Sequence, residues 1–234
     1  MNEVSHSLDR LAAATARLLA TATALSDAQA REPSLLPGWS RGHVLTHVAR
    51  NADGMINLLR WARTGTPTPM YASAESRSAD IEAGARRPAA DLAADVRESA
   101  ANLPGGAWAV PVRALNGPPF PALGVLERRL SEVEIHHVDV AAGYSPADWP
   151  ESFLREALPR VAESFTGRDG VPPCVVWAEG AKDSFRLGPD QAGAPVVIIK
   201  GQPADLLAWL LGRGDGATLT VAGGAALPAL LPWR

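Results

Sequence analysis

The chain has 234 residues, 47% of them hydrophobic, which is enough to bury a core and fill one large domain or two smaller ones, so disorder as the main state is excluded. A formal charge of −3, with the charged residues scattered rather than clustered, gives no basic footprint for nucleic acid. A single cysteine, Cys174, rules out an internal disulfide framework, and the chain shows neither an 18-residue apolar run nor a charged n-region ahead of an apolar one, so the expectation is a cytoplasmic monomer with no membrane span or signal peptide.

From about Glu3 to Arg31 the residues Leu8, Leu11, Thr15, Leu18, Leu19, Ala22 and Leu25 recur at steps of three and four, which predicts an amphipathic helix. Leu36-Pro37-Gly38 interrupts the chain, and Ser40 is placed to cap a second helix whose apolar positions are Val44, Leu45, Val48, Met55, Leu58 and Leu59. His43 and His47 lie four apart on that helix and share a face. The stretch between Thr64 and Ser76 has prolines and no periodicity, so it reads as a loop. An Ala-rich helix is expected from Ser76 or Ala79 to Asn102, with a break near Pro88. Pro104 to Pro121, with five prolines and three glycines, reads as a long connection of the kind that is functional or mobile. A fourth helix is expected from about Pro121 to Ala142.

Gly143-Tyr144-Ser145-Pro146 ends that helix and the composition changes after it, which puts a boundary between residues 1–145 and 146–234. Pro150 to Phe165 reads as helix. Short β-branched runs follow at Cys174 to Ala178, Ser184 to Leu187 and Pro195 to Lys200, separated by Gly and Pro turns. Pro203 opens a helix through Leu211, and Ala217 to Val221 reads as a last strand. The fold class is therefore α+β, a four-helix bundle followed by a small α+β domain.

The chemistry concentrates in Leu126 to Asp139, LERRLSEVEIHHVD, which sets two carboxylates and two adjacent histidines within six residues. A catalytic divalent metal takes three nitrogen or carboxylate ligands and keeps a position open. Glu132 and His136, four apart, can meet one ion with His47 arriving from the second helix. Helical phase leaves the choice open, because the most apolar strip, Leu126, Leu130, Val133, His137 and Val140, contains His137, while Glu132 and His136 lie roughly 80–100° to one side. Glu134 with His137 is the competing pair. A histidine on an apolar strip is more often a hydrogen-bonded core residue than a ligand, and His43 reads equally well as a helix-stabilising group.

LPGWSRGHVLTHVARNADGM, followed some eighty residues later by EVEIHHVDV, resembles the mycothiol-dependent maleylpyruvate isomerases within the DinB-like group of metal-binding bundles. The resemblance covers essentially the whole chain, with the smaller domain related to the sterol carrier fold. It implies zinc, or another divalent metal, bound by His47, Glu132 and His136, and an active site completed by a catalytic arginine from residues 146–234. Arg213 in WLLGRGD is the best match for that arginine, ahead of Arg186 and Arg234. It implies mycothiol as the thiol cofactor and a place in aromatic catabolism by the gentisate pathway. The implied reaction converts maleylpyruvate to fumarylpyruvate: a thiolate adds to the cis alkene, the former double bond rotates, and loss of the thiolate leaves the trans product. Cys174 begins an apolar strand and reads as a buried core thiol, so the nucleophile is expected to be borrowed. A mycothiol S-transferase acting on other electrophiles, and a non-catalytic metal-binding bundle, are the alternatives.

Overall fold

The computed structural model describes residues 3–101, 107–114, 117–190, 197–224 and 226–233. The expected helix end at Asn102, the strand start at Pro195 and the alternative arginine Arg234 lie outside the described residues. The chain divides into two compact units, Met1–Tyr144 and Ser145–Arg234.

In the first unit the Ala- and Leu-rich periodicity forms α1 (Glu3–Ala24) and then a separate α2 (Asp27–Arg31). The single helix expected to Arg31 is broken because Ser26 and Gln29 form a reciprocal capping box that starts a new helix. Ser40 caps α3 (Arg41–Thr64), which closes on Gly65 in the left-handed conformation. Ser73 caps α4 (Ala74–Gly84), and α5 (Ala89–Ala101) restarts just past Pro88, so the expected third helix is two. The proline-rich connection contains a hairpin, β1 (Pro111–Arg113) with β2 (Pro119–Pro121), antiparallel with Val112 opposite Phe120. It leads into α6 (Gly124–Asp139).

Helices α1, α3, α5 and α6 form the bundle: α3 and α1 each pack against both α5 and α6. Leu18, Leu45, Leu58, Leu92 and Leu126 fill its interior. The hairpin covers one end, where Val112, Ala122 and Val125 join Met55, Leu58, Leu59 and Met70 in one apolar cluster. At the other end α4 lies unusually close to α3. A Cβ on Gly42 would collide with the Ala85 carbonyl, and one on Gly84 would collide with the Thr46 side chain, so the two glycines make the approach possible.

In the second unit α7 (Glu151–Glu163) precedes β3 (Cys174–Ala178), β4 (Phe185–Leu187), β5 (Val197–Gly201), α8 (Pro203–Leu211) and β6 (Thr220–Val221). The sheet order is β4-β3-β5-β6, with β3 and β5 parallel and the outer pairs antiparallel. Leu206, Leu207 and Leu210 of α8 and Phe165 after α7 are fully buried together with Val176, Leu187 and Ile199 of the sheet. Among the described residues no helix is long and apolar enough to cross a membrane.

Candidate metal centre

The N-terminus of α3 sets the first side chains. Ser40 and His43 satisfy each other, with the His43 N–H donating to Ser40 Oγ at 3.4 Å and the Ser40 N–H donating to His43 Nδ1 at 3.1 Å. His43 Nε2 lies 3.0 Å from Glu82 on α4, so this histidine is used in capping and in joining two helices. One turn on, His47 is 5% exposed and points across the bundle toward α6.

There its Nε2 lies 3.0 Å from His136 Nε2 and 3.2 Å from Glu132 Oε2, and Glu132 Oε2 lies 3.4 Å from His136 Nε2. Three donor atoms from two helices thus converge on one point, and among the described residues they are the group able to hold a metal ion. Burial pushes the His47 pKa down. Burial also works against the charged forms of Glu132 and His136, but other interactions win: the adjacent His136 and His47 rings hold Glu132 well below the usual carboxylate range, and Asp139 and then Glu132 lift His136 to about 9. Asp139, itself fully buried, accepts from His136 Nδ1 at 2.8 Å, which turns Nε2 toward the centre.

The donor set fits a divalent cation. Glu132 Oε2 is buried without a well-formed hydrogen bond even though two ring nitrogens stand beside it, an arrangement that a cation between the three atoms would satisfy. Two neutral imidazoles and one carboxylate are also the ligand complement of a site that keeps a position open.

The rival pair on α6 faces the other way. Glu134 accepts from Arg17 of α1 at 2.5 Å and from the Tyr144 hydroxyl at 2.6 Å. His137 meets Thr21 Oγ1 at 2.7 Å and stacks on the Tyr144 ring at 3.7 Å. Both belong to the α1 interface, and the apolar strip containing His137 is core.

In the second unit Arg213 follows α8, is half-buried, and donates through Nη1 to the Leu211 carbonyl at 2.6 Å, as expected of a cation at a helix C-terminus. Arg186 on β4 is exposed and lies 3.5 Å from Asp190. Cys174 is buried, and burial pushes its thiol up to about 11, so it is a protonated core group at neutral pH.

Two features of the site escape a linear reading. The i, i+3 pair His136 and Asp139 carried a signal in its spacing, since a carboxylate that orients a ligating imidazole is common at metal sites. Arg77 on α4 carried none. Its Nη2 donates to His47 Nδ1 at 3.0 Å, and its guanidinium carbon lies 5.6 Å from the Tyr71 ring centroid.

A helical bundle that brings two histidines and a glutamate together, joined in one chain to a small mixed-sheet unit, defines a two-unit α+β protein with a candidate metal centre in its helical part. The model of the mycothiol maleylpyruvate isomerase N-terminal domain matches residues 11–141, and that of the corresponding C-terminal domain matches residues 148–231. The chain belongs to the mycothiol maleylpyruvate isomerase family, a family of enzymes. It is similar to the crystal structure of the mycothiol-dependent maleylpyruvate isomerase, at 29% identity and a TM-score of 0.90 over 99% of this chain and 98% of that one. A histidine-to-alanine mutant of that isomerase matches at 28% identity, with the same TM-score and coverage. No curated protein matches the chain.

Proposed function

We propose that this protein converts maleylpyruvate to fumarylpyruvate with mycothiol as its thiol, using a divalent metal such as zinc held by His47, Glu132 and His136. The observation that carries the reading is the convergence of these three donor atoms within 3.4 Å, in a chain whose two halves both match the isomerase family. When bound, the metal supplies a cationic centre that lowers the pKa of a thiol, which is near 8.5 when free, so that thiolate is available at neutral pH.

The protein's own groups do the rest. His47 and His136 enter as neutral ligands and Glu132 as the single anion, so a loaded centre keeps a net charge of about +1, which favours an incoming thiolate and a dianionic substrate. Asp139 holds the proton of His136 on Nδ1 and so keeps Nε2 free to ligate. The thiolate sulfur forms a bond to one alkene carbon while the π electrons move onto the conjugated carbonyl as an enolate. The carbon–carbon bond, now single, rotates. Collapse of the enolate re-forms the alkene in its trans geometry and expels the thiolate, so the thiol is not consumed. An arginine forked onto a substrate carboxylate can stabilise the enolate, and Arg213 is the proposed residue for that role. The reading carries with it a cytoplasmic monomer acting on small molecules in the gentisate route.

The test combines metal analysis of the purified protein with ultraviolet detection of maleylpyruvate conversion, with and without mycothiol. Stoichiometric metal and strictly thiol-dependent conversion are expected. Conversion without thiol would overturn the mechanism. Conjugation of a chlorinated electrophile without isomerisation would point to an S-transferase, and metal without turnover of either substrate to a binding bundle.

A further inference from the structure

Helix α6 ends without the device that closes α3 and α8. Those two helices each stop on a glycine in the left-handed conformation, Gly65 and Gly212. After α6 the left-handed region is taken by Ala141, φ 54°, which among the described residues is the one non-glycine residue with a positive φ. A Cβ makes that conformation unfavourable, so it persists only where the surroundings hold it.

What holds it is Arg41, the first residue of α3. Its Nε donates to the Val140 carbonyl at 2.9 Å and its Nη2 to the Ala141 carbonyl at 2.8 Å. Nη1 turns back to Glu32 Oε2 at 2.6 Å and to the Gln29 carbonyl at 3.3 Å, and the Arg41 backbone N–H donates to the Glu32 carbonyl at 3.0 Å. The Asp139 carbonyl accepts from the Leu35 N–H at 3.0 Å. The last carbonyls of a helix have no partner within it. Here the carbonyls of Asp139, Val140 and Ala141 are satisfied by Leu35 and Arg41, from the start of α3 and the loop before it.

The two ends joined in this way carry the ligands. Arg41 lies six residues before His47, and Val140 four residues after His136, with Asp139, which orients the His136 ring, next to Val140. Three donor atoms from two helices must meet one ion to within about 0.2 Å of the ideal distances, and a site about 1 Å too loose fails. Apolar packing between helices is not directional. A guanidinium fork on two consecutive carbonyls is directional, and with the Arg41 side chain only 14% exposed, solvent competes little for its bonds.

We infer that Arg41 is a positioning residue of the metal centre: by gripping the carbonyls at the end of α6 it fixes α6 against α3, and so the separation of Glu132 and His136 from His47. The inference rests on the proposed metal site, but its test does not require turnover.

The probes are zinc, titrated calorimetrically, and cobalt, whose visible absorption reports coordination geometry. The proteins are wild type, Arg41→Met, Arg41→Lys and the double variant Arg41→Met with Ala141→Gly, at a temperature where each is folded by circular dichroism. Arg41→Met should lower zinc affinity about tenfold, as removal of a group that orients a ligand does, and should shift the cobalt absorption although all three ligands remain. Arg41→Lys, which keeps the charge but not the fork, should recover part of the affinity. Adding Ala141→Gly to Arg41→Met should raise the thermal midpoint, because glycine adopts a positive φ without strain, and should leave zinc affinity low. Zinc affinity within twofold of wild type and an unchanged cobalt spectrum in Arg41→Met would mean that Arg41 only stabilises the fold, and would overturn the inference. So would recovery of zinc affinity together with the midpoint in the double variant. If Arg41→Met does not fold, Arg41→Lys serves in its place, and wild-type zinc affinity and cobalt spectrum in that variant overturn the inference. Failure of wild type to bind zinc overturns the metal-site reading and this inference together, whereas the variant outcomes bear on Arg41 alone.

Discussion

Helix α6 carries two carboxylate–histidine pairs that are offset by only one or two positions and have opposite fates. Toward α1, Glu134 is held by Arg17 and Tyr144, and His137 by Thr21 and the Tyr144 ring. Toward α3, Glu132 and His136 meet His47, and the carboxylate oxygen at the centre lacks a well-formed hydrogen bond. The residue types are the same on both faces. What differs is whether the neighbouring helix brings donors that use up the lone pairs or a further ring nitrogen that leaves them converging. A metal centre is therefore recognised here by its unmet hydrogen-bonding capacity, and a structural polar cluster by its satisfaction.

Substitutions on the two faces should separate cleanly. The largest effect is expected on the α3 side, where His47→Ala or His136→Ala removes a ligand. If about 10–16 kcal/mol of zinc binding is shared among three ligands, each loss costs about 3–5 kcal/mol, roughly a few hundredfold to several thousandfold in affinity. Turnover should vanish while the thermal midpoint of the metal-free protein hardly moves. A variant that still binds zinc with wild-type affinity would dissolve the distinction between the faces. Next is Asp139→Asn, which leaves all three ligands in place but removes the acceptor that orients His136; zinc affinity should fall about tenfold to a hundredfold.

On the α1 side the readout should switch from metal to stability. Glu134→Gln should cost about 1–3 kcal/mol in urea denaturation, below the figure for a fully buried pair because Arg17 is 38% exposed. Zinc stoichiometry should be unchanged, and loss of zinc from a folded Glu134→Gln protein would show that the two faces act as one site.

The smallest effect belongs to Cys174. Cys174→Ser should retain turnover within about twofold of wild type, and loss of activity in a folded variant would count against an external thiol nucleophile. Burial raises the Cys174 thiol to about 11, above its value in the unfolded chain. The neutral thiol thus costs the fold nothing below the unfolded pKa, and its contribution to stability should be lost as pH rises from about 9 toward 11, so that the alkaline decline is shallower in Cys174→Ser than in wild type.

Legibility in the sequence varied with how local the determinants are. The strand Cys174–Ala178 and the helix Pro203–Leu211 match their expected limits because Pro-Pro before the one, and Pro at the start and Gly at the end of the other, punctuate the chain locally. The break between α1 and α2 was written in Ser26 and Gln29, but alanine and leucine at helical spacing run straight across it. The hairpin at Pro111–Arg113 and Pro119–Pro121 was hidden by its prolines. In a two-stranded sheet both strands are edges, and an edge tolerates a residue without an N–H. Helical phase favoured His137 because it sees only how apolar a face is, not what the opposite helix offers. Arg77 was out of reach altogether, since its placement depends on how closely α4 approaches α3.

That approach is set by atoms that Gly42 and Gly84 do not have. The two contacts work as a fulcrum, and α4 as a short lever with Arg77 near its far end, two turns from Gly84. A methyl group added at either glycine would tilt the lever and draw the guanidinium away from His47 without touching a single ligand. The position of a charge beside the centre is thus fixed from a distance, through residues that take no part in the chemistry.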